Sequence, residues 1–173
     1  MPSSLVTDLV QIRRLGEKRR DENLRFRRFL KSRETVPDRR FRHMAEEIED
    51  QIDCRACGNC CRVAATPITD RDVEKLARFL GIRQREFIDQ YTDPNPEERG
   101  YILRRNEKGC VFLSGNDCTV YEARPHNCVD FPHLVRGAGS IAFRMWQFVD
   151  RACYCPIVYN ALEAYKQVSG FRR

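Results

Sequence analysis

The stretch that decides how this chain folds is Cys54-Arg-Ala-Cys57-Gly-Asn-Cys60-Cys61, which places four cysteines within eight residues. Two cysteines separated by two residues can wrap a tight turn, so that both thiolates face one metal ion or cluster. Gly58 supplies the permissive backbone that such a turn needs. The spacing therefore predicts metal chelation as the organising feature of the fold.

The composition of the chain bears on whether these thiols bind metal or form disulfides. Residues 1–33 are charged throughout and lack the apolar stretch of a secretion signal, and no apolar run approaches the length of a membrane-spanning helix. We therefore expect a cytoplasmic protein. In a reducing cytoplasm a cysteine-dense segment favours metal binding or redox chemistry, and an odd total of nine cysteines fits poorly with full disulfide pairing.

The N-terminal part of the chain is strongly basic. The formal net charge is +6, and between Gln11 and Arg33 ten basic residues meet three acidic ones. A solvated helix face is the plain interpretation of such a run. Few aromatic residues interrupt it and no finger spacing with paired histidines occurs, so a nucleic acid is possible but not favoured. We expect a protein partner to contact the N-terminal helices, and no membrane.

Apolar residues at helical spacing predict that the first fifty residues are helical. The clearest amphipathic segment leads directly into the cysteine stretch and has one apolar face: Phe41, Met44, Ala45, Ile48 and Ile52. Beyond the cysteines, Thr69 and Asp72 form a capping-box pattern that begins a helix, and Gly81 ends it. A further helix is predicted over residues 83–91, and Pro156 suits the first position of a final helix.

Short runs rich in β formers follow at residues 101–103, 111–113 and 119–121, joined by turns at 106–109 and 114–117. They predict a small antiparallel meander with two cysteines, 110 and 118, each at the start of a strand. Another cysteine, at 128, is predicted in a loop, and periodicity leaves open whether the apolar segment after residue 140 is a helix or a strand.

The predicted fold class follows from these elements. It is α+β and mostly helical, with a small antiparallel β meander and an irregular cysteine-rich metal-binding core. The predicted division is a basic helical N-terminal extension over residues 1–50 and a cysteine-cluster domain over residues 51–173.

Several motifs together carry a resemblance to a known family. They are C-x2-C-G-x-C-C-R at 54–62, I-T-D-x-D-V at 68–73, G-C-V-F-L at 109–113, C-x-V-Y-E-x-R-P-x-x-C at 118–128, and C-P at 155–156. The chain resembles the YkgJ-type cysteine-cluster proteins, also called the CxxCxxCC zinc- or iron-chelating family. The resemblance implies eight metal ligands at matching positions: Cys54, Cys57, Cys60, Cys61, Cys110, Cys118, Cys128 and Cys155.

The resemblance has two departures. An extra cysteine, Cys153, precedes the late C-P, so the last ligand is either Cys153 or Cys155. We expect Cys155 to be the ligand and Cys153 to be a buried or spare thiol. The basic N-terminal helices lie outside the shared motifs.

Eight thiolates are more than one tetrahedral zinc ion takes. Two zinc ions, an iron–sulfur cluster with a zinc ion, two clusters and a polynuclear assembly all remain open. The C-x2-C-x2-C run with a remote C-P resembles the ligand run of four-iron ferredoxins, which suggests an iron–sulfur cluster held by one set of cysteines: Cys54, Cys57, Cys60 and Cys155. Neighbouring side chains in an extended stretch point to opposite faces. Cys61 would then join a second set with Cys110, Cys118 and Cys128.

Three other side chains are candidates around such a centre. Arg62 and Arg124 could offset the negative charge of a thiolate-bound metal, and both are predicted to contact the cofactor. His126 lies two residues before a cysteine, but eight thiolates already suffice, so we expect it at the surface.

Two classes of function remain open. The first is a non-enzymatic metal-centre protein, holding an iron–sulfur cluster or zinc and serving as a redox carrier, metal handler or accessory module. The second is an enzyme, because the same cysteine signature occurs in flagellin lysine N-methylase. The chain has no glycine-rich nucleotide loop, no radical C-x3-C-x2-C triplet and no evident acid–base pair, which favours the non-enzymatic class. A structural zinc module for interactions is a further alternative.

Overall fold

A computed structural model describes residues 5–32, 38–136 and 140–172. It is mostly helical with small antiparallel sheets, which confirms the predicted α+β class. The helices are α1 (Leu9–Lys18), α2 (Arg20–Lys31), α3 (Asp38–Glu49), α4 (Cys54–Cys57), α5 (Asn59–Val63), α6 (Asp70–Leu80), α7 (Gln84–Tyr91), α8 (His126–Asp130), α9 (Ile141–Arg151) and α10 (Pro156–Val168). The strands are β1 (Pro67–Ile68), β2 (Thr92–Pro94), β3 (Tyr101–Leu103), β4 (Arg105–Asn106), β5 (Gly109–Cys110), β6 (Leu113–Ser114) and β7 (Asp117–Cys118).

The chain divides into two compact units. Residues 1–53 and 132–173 form one, called the helical unit below, and residues 54–131 form the other, the cysteine unit. Residues 132–173 group with the N-terminal helices because α10 packs against α1 and α3, and α9 packs against α2. The predicted extents of folding domains, 1–50 and 51–173, stay predictions.

The core of the helical unit is built around α10, whose residues Pro156 to Lys166 are all buried. Proline occupies the first turn of this helix, as predicted, where its missing N–H leaves no hydrogen bond unmade. Aromatic rings pack against Tyr165 from two other helices, with ring centroids 5.0 Å away at Phe41 and 5.9 Å away at Phe26. The predicted apolar face of α3 is confirmed, since Phe41, Ala45 and Ile48 are fully buried.

The outward faces of α1 and α2 carry most of the basic run. Six of its side chains are exposed: Arg13, Arg14, Lys18, Arg25, Arg28 and Lys31. Arg33, the last residue of the run, lies outside the described residues. Buried Lys166 draws the carboxylate of Glu22 inward, so this acid does not offset the outer positive charge. The expected protein partner at these helices stays a prediction.

The cysteine unit has its apolar core between α6, α7 and the strands that follow them. Val73, Leu76, Phe87, Leu103 and Phe112 are buried there. The capping box at the start of α6 is confirmed, with Thr69 and Asp72 bonding reciprocally, and Gly81 ends the helix in a left-handed conformation as predicted.

The structure corrects the predicted single meander, since the described residues form separate antiparallel sheets with strand orders β1-β3-β2, β4-β5 and β6-β7. The strand at 101–103 and both predicted turns are confirmed, since β4-β5 closes at 106–109 and β6-β7 at 114–117. The strands predicted at 111–113 and 119–121 are wrong, because the paired residues lie immediately beside each turn. Two-residue strands are too short to show an alternating pattern.

Candidate metal centre

The cysteine stretch folds as two short helices joined at Gly58. Cys54 and Cys57 occupy the two ends of α4, and Gly58 has a φ of +57°, so the predicted glycine turn is confirmed. Asn116 donates from Nδ2 to the Ala56 carbonyl at 2.7 Å, which ties α4 to the turn between β6 and β7. The position of the cysteine motif therefore depends in part on the β6-β7 hairpin, which is distant in the sequence.

The expectation of an extended stretch at Cys60 and Cys61 is wrong. Both residues lie in α5, where neighbouring side chains are about 100° apart around the helix axis rather than on opposite faces. Their thiols hydrogen-bond to each other. The vicinal pair therefore does not by itself separate two ligand sets.

Two hairpins place Cys110 and Cys118 in equivalent positions. Each cysteine ends the second strand of its hairpin, rather than starting a strand as predicted. In each case the backbone N–H two residues further on, from Phe112 or Val120, donates to the cysteine sulfur. A hydrogen bond of this kind favours the thiolate, which is the form that binds metal.

The first hairpin lies directly on the backbone of α5. A Cβ atom at Gly109 would stand 2.6 Å from the carbonyl oxygen of Cys61 and 2.8 Å from the Cα of Arg62. Only glycine permits this approach, and its φ of +123° also suits glycine alone. The contact brings the segment that carries Cys110 against the segment that carries Cys61.

Cys128 lies in α8, so its predicted place in a loop is wrong. The helix has only five residues and is held by tertiary hydrogen bonds. Asp72 of α6 accepts from the His126 N–H at 2.9 Å, and Asn127 donates to the Pro67 carbonyl of β1 at 2.8 Å. The His126 side chain is exposed, as predicted, and contacts Asp130.

The charge state of Cys61 differs from that of its neighbours. The pKa of the Cys61 thiol is lowered to about 6, first by a hydrogen bond from Cys60 and then by the positive charges of Arg62, Arg124 and Arg105, against the opposing effect of burial. These contacts favour the thiolate form of Cys61.

The pKa values of three further thiols are affected by the charge on Cys61. Burial is the main cause that raises the pKa of Cys110, Cys118 and Cys128, the last to about 12 although Thr66 hydrogen-bonds its sulfur. Negative charge on Cys61 raises the pKa of all three, Cys118 also raises that of Cys110, and both Cys110 and Cys118 raise that of Cys128. The structure thus gathers four thiols, from a helix, two hairpins and a second helix, into one electrostatic group.

Arginines around this group donate to carbonyl oxygens. Arg62 bonds the carbonyls of Cys57 and Gly115, both at 2.9 Å. The guanidinium of Arg124 lies 3.6 Å from the ring centroid of Tyr121. Both arginines were predicted to contact a cofactor, and their positions leave them beside the thiols whose charge they stabilise.

Arg105 is another arginine beside these thiols, and the sequence analysis did not predict it. Its guanidinium bonds the carbonyls of Cys61, Arg62 and Ala64. No motif marks it, because an arginine beside a turn has no distinctive spacing.

The donor set suits a thiolate-bound metal, because mutual repulsion among thiolates is relieved by a cation between them. All nine cysteines lie within the described residues, and no disulfide joins them. Over those residues, no three Cys, His, Asp or Glu side chains are already arranged to hold an ion.

Comparison with known families gives a match. Residues 53–156, more than half of the chain, match the family model described as "CxxCxxCC: Putative zinc- or iron-chelating domain". The chain belongs to this CxxCxxCC family. The resemblance seen in the motifs is thereby confirmed, and zinc or iron chelation is the function that the family description supports. No solved structure matches the chain. Across the described ranges, this CxxCxxCC protein has no helix that is both long and apolar enough to cross a bilayer.

The CxxCxxCC match includes the two late cysteines, which lie in the helical unit. Cys155 precedes α10 as its N-cap and is buried. Cys153 lies in a turn, with its sulfur 3.7 Å from the Arg20 guanidinium and 3.7 Å from the Val149 carbonyl. The choice of Cys155 as a ligand stays a prediction.

Proposed function

We propose that this protein binds an iron–sulfur cluster, a zinc ion or both through cysteine thiolates, and that it works as a redox or accessory module. The observation that carries the proposal is the gathering of four thiols in the cysteine unit, at Cys61, Cys110, Cys118 and Cys128. They come from a helix, two hairpins and a second helix. A set built from such distant positions is hard to explain by local sequence preference.

The energetics of these thiols favour a bound cation. Burial and mutual repulsion oppose ionisation of Cys110, Cys118 and Cys128, so several thiolates are unfavourable together without a metal. The N–H bonds to two of the sulfurs and the nearby arginines act in the opposite direction and favour the ionised state. A metal ion completes this arrangement because it supplies the missing positive charge.

The remaining cysteines of the motif, Cys54, Cys57 and Cys60, support iron as one of the metals. Their C-x2-C-x2-C spacing suits three corners of an iron–sulfur cubane. A cluster of that kind would supply one-electron transfer, whereas a zinc ion would supply structural stability alone. We therefore propose iron in the protein as it is made in the cell.

Absorption and metal analysis of protein purified without oxygen test this proposal. We expect a brown protein that contains iron and acid-labile sulfide. A colourless protein with stoichiometric zinc and no sulfide would contradict the iron assignment and leave the cysteine ligands standing. A protein that binds neither metal under reducing conditions would contradict the proposal as a whole.

Metal binding should be coupled to folding in the cysteine unit. A tetrathiolate zinc site contributes on the order of 10 kcal/mol in small peptides, which is comparable with the whole stability of a domain. We expect Cys57→Ser and Cys118→Ser each to lose metal and to melt at a lower temperature. Cys153→Ser is the matched control, expected to keep both. Loss of metal in the first two variants without any change in melting temperature would contradict the coupling.

A further inference from the structure

Arg105 connects two thiol-bearing segments of the cysteine unit. Its backbone lies in β4, directly opposite Cys110 in the β4-β5 register. Its guanidinium reaches the other way and donates to the Cys61 carbonyl at 3.3 Å and the Ala64 carbonyl at 2.5 Å, as well as to the Arg62 carbonyl. One residue therefore fixes Cys110 on one side and the end of α5 on the other.

The carbonyls that Arg105 binds are those that a helix leaves without partners at its C-terminal end. The planar guanidinium carries five N–H donors in a fixed arrangement, which allows one side chain to satisfy three acceptors. Lysine offers a single ammonium group and cannot reproduce this geometry. The contact therefore sets the position and direction of α5, including Cys61 within it.

Arg105 also brings a positive charge to this region. Within the described residues its guanidinium forms no ion pair and donates to backbone carbonyls, whereas the neighbouring Arg104 pairs with the Asp93 carboxylate. Its positive charge acts on the Cys61 thiol. A metal bound by four thiolates carries net negative charge, which a neighbouring guanidinium stabilises.

We propose that Arg105 is a positioning residue of the metal centre, which holds Cys61 against Cys110 and offsets the negative charge of the bound thiolates. This inference rests on the proposed function, since it assumes that Cys61 and Cys110 bind metal.

Arg104 provides a matched control in the adjacent position. It too donates to several carbonyls, those of Asp89, Gln90 and Thr92, and to the Asp93 carboxylate. These acceptors belong to α7 and β2, and none belongs to a cysteine segment. Replacing Arg104 removes four side-chain hydrogen bonds, against three for Arg105, so a general loss of stability should be at least as large in the Arg104 variant.

Co²⁺ is the probe for the experiment, because its visible absorption reports thiolate ligation and tetrahedral geometry where zinc is silent. The reduced full chain is titrated with Co²⁺ in wild type, Arg105→Gln, Arg105→Lys and Arg104→Gln, and folding is followed by circular dichroism. We expect Arg105→Gln to bind Co²⁺ at least tenfold more weakly, with altered visible bands. Arg105→Lys should bind more tightly than Arg105→Gln and still show altered bands. Arg104→Gln should match wild type in affinity and spectrum.

The outcomes separate this inference from the proposed function. Wild-type protein that binds neither Co²⁺ nor Zn²⁺ would contradict the proposed function itself. Wild-type binding together with unchanged affinity and bands in Arg105→Gln would overturn the role of Arg105 alone. If Arg105→Gln does not fold, Arg105→Lys decides, and a spectrum and affinity equal to wild type in that variant would overturn the inference.

Discussion

Gly109 and Cys61 are in backbone contact: a Cβ added at position 109 would lie 2.6 Å from the Cys61 carbonyl oxygen. This distance is shorter than atoms of the two segments can tolerate, so the hairpin that carries Cys110 reaches α5 only because residue 109 has no side chain. The approach of two candidate ligands thus depends on a residue that binds nothing itself.

Substituting Gly109 with alanine should therefore separate the hairpin from α5. We expect Gly109→Ala to lower the free energy of unfolding by about 2 kcal/mol or more, from the steric clash and the positive φ together, and to reduce metal content. Gly100 is the matched control, because its φ of +119° is nearly the same as the +123° of Gly109 and no atom lies within 4 Å of its added Cβ. Gly100→Ala should lower the free energy of unfolding by only about 1 kcal/mol and leave the metal content unchanged. Equal effects in the two variants would show that position 109 requires glycine because of its positive φ and not because of its close packing against α5.

Asp72 should stabilise α6 and α8 at once. Its carboxylate accepts from the Thr69 N–H at 2.9 Å and from the His126 N–H at 2.9 Å. We expect Asp72→Ala to lower the free energy of unfolding by about 2 to 3 kcal/mol and to weaken metal binding through the displacement of Cys128. Asp70 lies in the same first turn but is exposed. Asp70→Ala should lower the free energy of unfolding by about 0.5 kcal/mol and bind metal as the wild type does. Chemical denaturation and metal titration measure both effects. Normal metal binding in Asp72→Ala would mean that α8 holds its place without this bond.

The two late cysteines should differ in their effect on metal content. The Cys153 sulfur contacts Arg20 and Val149 within the helical unit. We expect Cys153→Ser to leave metal content nearly unchanged, and Cys155→Ser to abolish stoichiometric loading. Elemental analysis of both purified variants gives the answer. Equal losses, or a loss confined to Cys153→Ser, would transfer the last ligand to Cys153.

Glu49 should make the helical unit less stable as the pH rises from about 4.5 to about 7. Burial raises the pKa of this carboxyl to about 7 from its ordinary 4.5, with Arg136 opposing the shift and Asp50 and Glu46 adding to it. The unfolded chain loses this proton near pH 4.5 and the folded chain only near pH 7, so stability falls between those values as pH increases.

Replacing Glu49 with glutamine removes that ionisation. Glu49→Gln should resemble wild type below pH 4.5 and be more stable by about 1 kcal/mol above pH 7, an amount reduced for the partial exposure of the side chain. Urea denaturation across pH 4 to about pH 8 checks this. Asp21→Asn, which changes an exposed carboxyl of α2, is the control and should show the same change of stability with pH as the wild type. A wild-type profile in Glu49→Gln would show that Glu49 titrates normally.

Local sequence signals predicted much of the secondary structure for a clear physical reason. Capping at Thr69, termination at Gly81 and the proline that opens α10 each depend on contacts within a few residues. The five-residue α8 could not be predicted in the same way. Its helical form depends on Asp72 and on Asn127 bonding to Pro67, residues more than fifty positions away.

The candidate site shows the same division. Arg62 and Arg124 could be named in advance because they lie within the cysteine motifs C-C-R and R-P-x-x-C, but Arg105 could not. Its contacts with Cys61 and Ala64 span more than forty positions in the chain. The sequence also did not predict that Cys60 and Cys61 lie in a helix, because the five-residue α5 is too short to show an apolar repeat.

The amino-acid sequence by itself determined the family, the chemistry of the donors and the ends of the longer helices, because each of these depends on residue type and short spacing. Tertiary structure alone decided which thiols lie near enough to act on one another electrostatically. Cys61, Cys110, Cys118 and Cys128 come together because a glycine permits two backbones to touch, because Arg105 binds the exposed carbonyls of α5, and because Asp72 holds α8. Such contacts satisfy backbone groups between distant segments, and no local periodicity encodes them.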